Sequence, residues 1–266
     1  MRHIMYRYRY PGLHLDHSTY IAPEPDLLYR HTHSEWELLY ILNGDVTHVV
    51  EDRKYKLHKH DLVLVRPNQY HFIQIDSSEN YERYNLLFDP GILGLQHVER
   101  VPQDLEVVSC RYKPMITELF RKMDYYQSVL SEADVRGMTA LLIQELLYQL
   151  GLTHEARGRA PTESLHPVAA KALAMINENL FTLKSMEQVA QALFVTESYL
   201  YRVFKRELKT TPLKYITEKR LIAAQSMLRQ GMPATKVYEE CGFDDYSAFY
   251  RSYRSHFGCP PSKENK

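Results

Sequence analysis

The first 90 residues show the two-residue alternation of apolar and polar positions that is typical of β-strands. Six short segments are rich in β-branched and aromatic residues and are separated by turn residues. These segments are "EWELLYIL", "DVTHVVED", "KYKLHK", "DLVLVRP", "YHFIQI" and "RYNLLFD". Asn43-Gly44 lies between the first two and predicts a hairpin there. So many short antiparallel strands indicate a sandwich or barrel of the jelly-roll type.

From Lys113 onward the apolar positions recur with the period of a helix. One helix is predicted over 115–127, and a second runs from about Ser131 to Leu150. One face of the second helix carries an apolar stripe, formed by Val135, Met138, Leu142, Leu146 and Gln149 or Leu150. This stripe either packs on the sheet or forms a dimer interface, and the pattern alone does not separate the two interpretations.

A polar stretch punctuated by Gly and Pro follows, "GLTHEARGRAPTESLHP", and it predicts a linker over 152–165. The rest of the chain is predicted to be helical. The expected helices cover 166–179, 185–193, 197–208, 212–229, 234–241 and 245–256. The sequence therefore predicts a two-domain α+β protein. Its N-terminal domain is a β-barrel with flanking helices at about 115–150 (residues 1–151), and its C-terminal domain is an all-α bundle (residues 166–266).

The C-terminal half contains the same helix-turn-helix pattern twice, about 49 residues apart. In the first copy Ser185 and Gln188 form a possible capping box, and Thr196 is placed to cap the second helix. In the second copy Gly242 permits the turn and Asp244 or Asp245 caps the next helix. Alignment of the copies pairs Leu200 with Phe249, Arg202 with Arg251 and Phe204 with Tyr253. Solvated charged faces explain either copy alone, but equivalent arginines on both outer faces favour contacts with DNA.

Composition and charge agree with this division. Hydrophobic residues make up 44% of the 266 residues and charged residues 25%, which is typical of globular proteins. Residues up to Gly151 hold 16 Lys+Arg against 21 Asp+Glu, and the remainder hold 17 against 12. A basic second half suits a polyanion. No signal peptide, membrane span or disulfide framework is expected, and the cytoplasm is the expected location.

The stretch 168–261 resembles the DNA-binding domain of the AraC/XylS family of transcription regulators. The resemblance rests on "EQVAQALFVTESYLYRVFKREL", "TTPLKYITEKRLIAAQSML" and "CGFDDYSAFYRSYRSHFGCPP". Lys209 departs from the family, which usually has Gly there. The resemblance implies that double-stranded promoter DNA is the partner. The residues implied to contact DNA are Ser198, Tyr201, Arg202, Lys205, Arg206, Tyr246, Ser247, Ala248, Arg251 and Arg254.

The N-terminal half resembles the cupin-like sensor domain of the same family. The run His31-x-His33-x3-Glu37 has the spacing of the first cupin motif, and "DLVLVRPNQYH" resembles the second, ending at His71. In metal-binding cupins these residues are the ligands, but here His60 replaces a Gly of the second motif. An effector pocket, structural histidines and a metal site all remain open. We predict an effector pocket, with no metal, no cofactor and no catalytic residue. Its predicted residues are His31, His33, Glu37, Tyr40, Arg66 and His71.

These observations predict a DNA-binding transcription regulator that is not an enzyme. The resemblance implies that a small-molecule effector, such as a sugar, binds in the barrel, and that the chain forms a homodimer through its N-terminal domain. The alternative is a metal-dependent cupin enzyme with an appended helical domain.

Overall fold

The computed structural model describes residues 2–24, 31–93, 98–152 and 158–264. In the N-terminal half, antiparallel strands form a six-stranded sheet, in the order β1-β2-β8-β3-β6-β9, and a four-stranded sheet, in the order β10-β5-β4-β7. The strands are β1 (Arg2–Tyr10), β2 (Leu13–Tyr20), β3 (Trp36–Asn43), β4 (Val46–Val50), β5 (Arg53–Leu57), β6 (Asp61–Val65), β7 (His71–Ile75), β8 (Tyr81–Phe88), β9 (Val107–Ser109) and β10 (Glu163–Ser164). All six predicted strands are confirmed. The expected barrel takes the form of a jelly-roll-like sandwich of two sheets.

The hairpin predicted at Asn43-Gly44 is wrong. Strand β3 pairs with β6 and β8 in the larger sheet, whereas β4 pairs with β5 and β7 in the smaller one. The chain therefore crosses between sheets at Gly44, whose φ is 133° and where an added Cβ would lie 2.8 Å from the Tyr81 ring. An Asn-Gly pair sets a local reversal, but long-range pairing decides which sheet the next strand joins.

The two predicted N-terminal helices pack on the outer face of the larger sheet. They are α2 (Pro114–Val129) and α3 (Glu132–Leu152), and they follow a short helix, α1 (Pro90–Leu93). The apolar stripe of α3 is buried in a core shared with α2 and with outward residues of the sheet, such as Leu38 and Phe88. The packing interpretation of that stripe is therefore confirmed, and any dimer contact must use other residues.

Both helix-turn-helix units form as predicted. The C-terminal helices are α4 (Pro167–Glu178), α5 (Met186–Ala192), α6 (Glu197–Leu208), α7 (Pro212–Arg229), α8 (Ala234–Glu240) and α9 (Tyr246–Phe257). The Thr196 hydroxyl accepts a hydrogen bond from the Tyr199 amide at 3.2 Å, and the Asp245 carboxylate accepts one from the Ala248 amide at 2.7 Å. The capping box predicted at Ser185 does not form, because its side chain makes no cap hydrogen bond.

Helix α7 joins the two units. Its first half, including Tyr215, packs with α4, α5 and α6, and its second half, including Leu228, packs with α8 and α9. The Arg220 guanidinium donates hydrogen bonds to the carbonyl oxygens of Leu180, Leu183 and Gly242. One side chain of α7 thus ties the turn of the second unit to the loop that precedes the first.

The predicted linker is in part attached to the N-terminal sheets. Residues 153–157 lie outside the described residues, but β10 adds to the edge of β5, and the Arg159 amide donates a hydrogen bond to the Val107 carbonyl at 2.7 Å. Val49, Tyr70 and Phe72 of the smaller sheet share one apolar core with α4–α7. None of the helices that the structure describes combines the length and apolar character that crossing a bilayer requires.

Replacing Lys209 by glycine is expected to stabilise the protein. Lys209 follows α6 in the left-handed conformation, with a φ of 56°. A non-glycine residue there costs about 1–2 kcal/mol, part of which the greater entropy of glycine in the unfolded chain offsets. Lys209→Gly should therefore raise the free energy of unfolding by roughly 0.5–1 kcal/mol. Urea unfolding measures this change, and a destabilised variant would show that the Lys209 side chain makes a compensating contact.

Candidate effector cavity and DNA-reading helices

Four side chains of the cupin-like motif meet at one end of the sandwich. His31 and His71 form an isolated antiparallel bridge, with backbone N–H···O distances of 3.2 and 3.0 Å. The Glu37 Oε2 atom lies 2.9 Å from His33 Nε2 and 2.7 Å from His71 Nε2. The structure therefore brings together His31, His33, Glu37 and His71, as the motif spacing predicted.

The electrostatics of this His/Glu cluster centre on Glu37, which is buried. Burial alone would raise the pKa of its carboxyl, but the charge of His71 and the hydrogen bonds from His33 and His71 hold that pKa well below its usual range. For His33, burial opposes ionisation, yet the hydrogen bond and charge of Glu37 raise its pKa overall. The cluster therefore favours a carboxylate facing a positive charge.

The arrangement of donors in the His/Glu cluster fits a transition-metal ion. One ligand atom from each of the four residues lies within 4.8 Å of the others. The Nδ1 atoms of His33 and His71 each lie 2.9 Å from a backbone carbonyl oxygen, of Glu35 and Gln69 respectively. An imidazole that donates its Nδ1 proton in this way would offer Nε2, which here contacts Glu37, to a metal ion once that nitrogen has lost its proton. Three imidazoles and one carboxylate suit Fe, Mn, Ni or Zn.

A cavity of about 430 Å³ opens beside the His/Glu cluster, over the inward face of β1, β2 and β8. His31, Glu37 and His71 form part of its wall. The other lining residues are Arg2, Tyr8, Arg9, His14, Leu15, Asp16, Tyr20, Leu39, Phe72, Ile73, Arg83, Asn85 and Leu87. A volume of this size and a mixed polar and apolar lining suit a small organic molecule.

Three of the predicted pocket residues do not line this cavity: His33 lies in the adjoining His/Glu cluster, whereas Tyr40 and Arg66 lie elsewhere. Tyr40 is three positions after Glu37 on β3, so alternation places it on the opposite face, where its hydroxyl lies 2.5 Å from Thr117 Oγ1. The Arg66 guanidinium donates to the carbonyl oxygens of Leu105 and Pro102. Both side chains serve packing outside the cavity, and their assignment to the pocket is corrected.

Three inward residues were missed by reasoning from the sequence. Arg83 and Asn85 of β8 line the cavity, and His48 of β4 is fully buried, with neither ring nitrogen bonded to a described group. Burial, with the nearby charge of His71, lowers the pKa of His48 to about 3, so it stays neutral. The alternation in "RYNLLFD" could have indicated Arg83 and Asn85, because it places them on the opposite face of the strand from Tyr84 and Leu86.

The predicted DNA-contacting residues lie on α6 and α9 with their side chains exposed or half-buried. Arg202 lies over the Tyr199 ring at 5.3 Å, and Arg206 pairs with Glu207 at 3.0 Å. Within the described part of the chain, the other basic side chains of the set, Lys205, Arg251 and Arg254, form no ion pair. Leu200 and Phe204 of α6 and the aligned Phe249 and Tyr253 of α9 are all buried, so the aligned Arg202 and Arg251 both face outward.

Two family models match the two halves of this architecture. A family model described as "AraC-like ligand binding domain" matches residues 14–151, and one described as "Helix-turn-helix domain" matches residues 189–266. The regulator GbdR of Pseudomonas aeruginosa is 26% identical over 149 residues, which are 54% of this chain and 41% of that relative. The uncharacterized regulator YdiP of Escherichia coli is 21% identical over 243 residues, or 87% of this chain and 79% of that relative. A crystal structure of apo ToxT from Vibrio cholerae aligns with 97% of this chain and 98% of its own, at 12% identity and a TM-score of 0.43.

The cavity-bearing sandwich and the two helix-turn-helix units correspond to the two family models, a ligand-binding domain and a helix-turn-helix domain. The match of the ligand-binding family model covers more than half of the sequence. The chain therefore belongs to the AraC family of regulators. It spans less than half of the length of the relative GbdR that it matches.

Proposed function

We propose that the protein binds promoter DNA in a sequence-specific manner and that a small polar effector in the cavity controls this binding. The observation that carries the proposal is the duplicated unit, in which Arg202 and Arg251 occupy equivalent exposed positions. An arginine can donate two hydrogen bonds to a guanine edge in the major groove. A mobility-shift assay on the DNA upstream of the gene tests the proposal, and absence of a specific shift at physiological salt would contradict it.

The residues on the two outer faces divide by the contacts they can make. Ser198, Tyr201 and Arg202 on α6, with Tyr246, Ser247, Ala248 and Arg251 on α9, are proposed to read base edges. Lys205, Arg206 and Arg254 lie nearer the helix C-termini and are proposed to bind phosphates. Helices entering successive major grooves on one face of DNA are roughly 34 Å apart.

Strand β7 and the residues before it connect the cavity to the DNA-binding half. His71, Phe72 and Ile73 line the cavity. The neighbouring Tyr70 hydroxyl donates a hydrogen bond to the Leu208 carbonyl at the end of α6, at 3.3 Å. An effector that shifts β7 therefore acts directly on the end of the first recognition helix. Control of this kind requires the effector to prefer one of two arrangements of the halves.

Glu51, in the β4–β5 turn, is the main polar contact that holds the two halves together. Its carboxylate accepts hydrogen bonds from Lys219 Nζ and the Tyr215 hydroxyl, each at 2.9 Å, and from Asn177 Nδ2 at 3.3 Å. It also accepts one from the Tyr70 amide at 2.8 Å. A single carboxylate thus joins α4, α7 and β7.

Glu51→Ala is expected to loosen this contact by about 2 kcal/mol, because it leaves the half-buried Lys219 without its partner carboxylate. We expect faster limited proteolysis between the two halves and DNA binding that depends less on effector. Asp52→Ala, at a neighbouring exposed carboxylate, is the matched control. Equal proteolysis and unchanged effector dependence in both variants would show that Glu51 does not couple the halves.

We also propose that the chain forms a homodimer through its N-terminal domain, using the outward face of α3. Leu141 on this face is 56% exposed, and Tyr148, two turns further along the same face, is 36% exposed. Exposed apolar side chains on an otherwise packed helix favour a partner surface. In a sedimentation experiment the wild-type protein should be a dimer, and Leu141→Asp should be a folded monomer. A wild-type protein that sediments as a monomer at micromolar concentration would contradict the homodimer.

The donor geometry of the His/Glu cluster also fits one alternative function, that of a metal-dependent cupin enzyme. When bound there, a metal would supply Lewis-acid chemistry, and His31, His33, Glu37 and His71 would hold it. Elemental analysis of the purified protein, together with the mobility-shift assay, separates the alternatives. Stoichiometric metal without a specific DNA shift would favour the enzyme, whereas a specific shift favours the regulator whether or not metal is present.

A further inference from the structure

Arg83 is a buried cation that forms no ion pair with any described carboxylate. Its side chain lies on the inward face of β8 and lines the cavity, and the residue is only 9% exposed. Its one hydrogen bond among the described residues is a long one, 3.4 Å, to the Tyr81 hydroxyl. Its Nε atom has no hydrogen-bond partner, and no described carboxylate lies within 4.0 Å of its guanidinium. A buried charge without an ion-pair partner destabilises the folded state unless a ligand supplies the missing anion.

The surroundings of Arg83 hold it in place without neutralising it. Its guanidinium carbon lies 5.7 Å from the centre of the Tyr20 ring and 5.4 Å from that of Tyr81. Two neighbours in the sheet register also have unsatisfied buried oxygens, Oγ of Ser18 beside Arg83 and Oδ1 of Asn85. Among the acidic residues of the cavity, Asp16 pairs with Arg2 at 2.9 Å and Glu37 faces two histidines. Asp16 is therefore occupied elsewhere, whereas the charge of Glu37 also acts on Arg83 but from beyond the 4.0 Å of an ion pair.

We propose that Arg83 binds a carboxylate of the effector and that Asn85 accepts a hydrogen bond from a hydroxyl or amino group next to that carboxylate. A planar guanidinium matches a carboxylate in shape and in its single charge. A phosphate dianion would keep one charge uncompensated, and a neutral sugar would leave the arginine unpaired. The inference rests on the proposed effector cavity and narrows its ligand to a small hydroxy or amino acid, of which a sugar acid is one class.

The test compares neutral molecules with their acids. Thermal unfolding of the full chain is followed with glucose against gluconate, galactose against galacturonate, and glycerol against glycerate, each at 10 mM and constant ionic strength. Glucose 6-phosphate is included as the phosphate probe. We expect at least one acid to raise Tm by about 3 °C or more while its neutral partner leaves Tm unchanged.

Two arginine variants separate ligand binding from structural support. Arg83→Gln should lose the response to the acid, with at least a tenfold higher Kd, while the Tm without ligand stays equal or rises, because the unpaired charge is gone. Arg136→Gln is the matched control. Arg136 also stacks on a tyrosine, Tyr10 at 4.1 Å, and donates to its hydroxyl at 2.9 Å, but it lies outside the cavity. This variant should lose Tm and keep the response.

Several results would overturn the carboxylate assignment. They are no shift with any of the acids, an equal shift with the neutral partners, a larger shift with glucose 6-phosphate, or an unchanged response in Arg83→Gln. The mobility-shift assay tests the proposed DNA binding separately. If an acid stabilises the protein through Arg83 but no DNA is bound, the ligand assignment stands and the regulator proposal fails.

Discussion

The double variant Arg202→Ala/Arg251→Ala is expected to lose nearly all sequence-specific DNA binding while keeping its fold. Each substitution should cost about 1–3 kcal/mol of specific binding, roughly 5- to 150-fold in Kd. The two positions are on separate helices with separate contacts, so their effects should add. Both side chains are exposed and neither forms an ion pair with another described residue, so Tm should change little.

Quantitative mobility shifts on a specific and a scrambled DNA fragment measure this effect. The specific fragment should lose affinity much more than the scrambled one, because these arginines are assigned to bases. Lys205→Ala is the control for a phosphate contact. It should weaken binding to both fragments alike and reduce the slope of log K against log salt by about one. If the double variant binds the specific fragment as tightly as the wild-type protein, the outer faces of α6 and α9 are not the base-contacting surfaces.

Gly242→Ala should destabilise the second helix-turn-helix unit more than any other single substitution considered for this protein. Gly242 has a φ of 75°, and an added Cβ would lie 2.2 Å from the Phe181 carbonyl oxygen. That contact is with backbone, and Arg220 holds the surrounding loop and the Gly242 carbonyl together. The clash cannot be relieved by rotating a side chain, so we expect a loss on the order of 3–5 kcal/mol in the free energy of unfolding.

Gly258→Ala is the matched control for backbone strain. Gly258 has nearly the same φ, 74°, but an added Cβ there meets no described atom within 4 Å. Its substitution should cost at most about 1 kcal/mol, since only the left-handed conformation is penalised. Chemical denaturation and circular dichroism give both values. Similar stability losses in the two variants would show that the contact with Phe181 can relax.

The C-terminal half followed closely from its sequence. Helices α6 and α7 have the predicted bounds, and the caps at Thr196 and Asp245 form as predicted. Short helices are specified by local apolar spacing, capping residues and glycine, all of which are readable along the chain. The motif spacing also placed His31, His33, Glu37 and His71 in one cluster, because β3 and β7 present their inward residues to the same interior.

The β-sandwich was less predictable. Strands β1 and β2 were not among the six predicted strands, and β1 pairs with β2 over its whole length. Tyr40 was assigned to the pocket by residue type although strand alternation turns it to the outer face. Arg83 was not singled out, because the alternation places it opposite Tyr84 and Leu86 but does not show that this opposite face is buried. Partners distant along the chain decide each of these outcomes.

Local sequence patterns specify the two-part architecture, the duplicated helix-turn-helix unit and the set of His and Glu residues that meet. These features depend on the periodicity of neighbouring residues and on motif spacing. The crossing between sheets at Gly44, the contacts of Glu51 with both halves and the position of Arg83 in the cavity became visible in the folded structure. Sheet pairing, domain contacts and the burial of a charge depend on groups far apart in sequence, which no local pattern records.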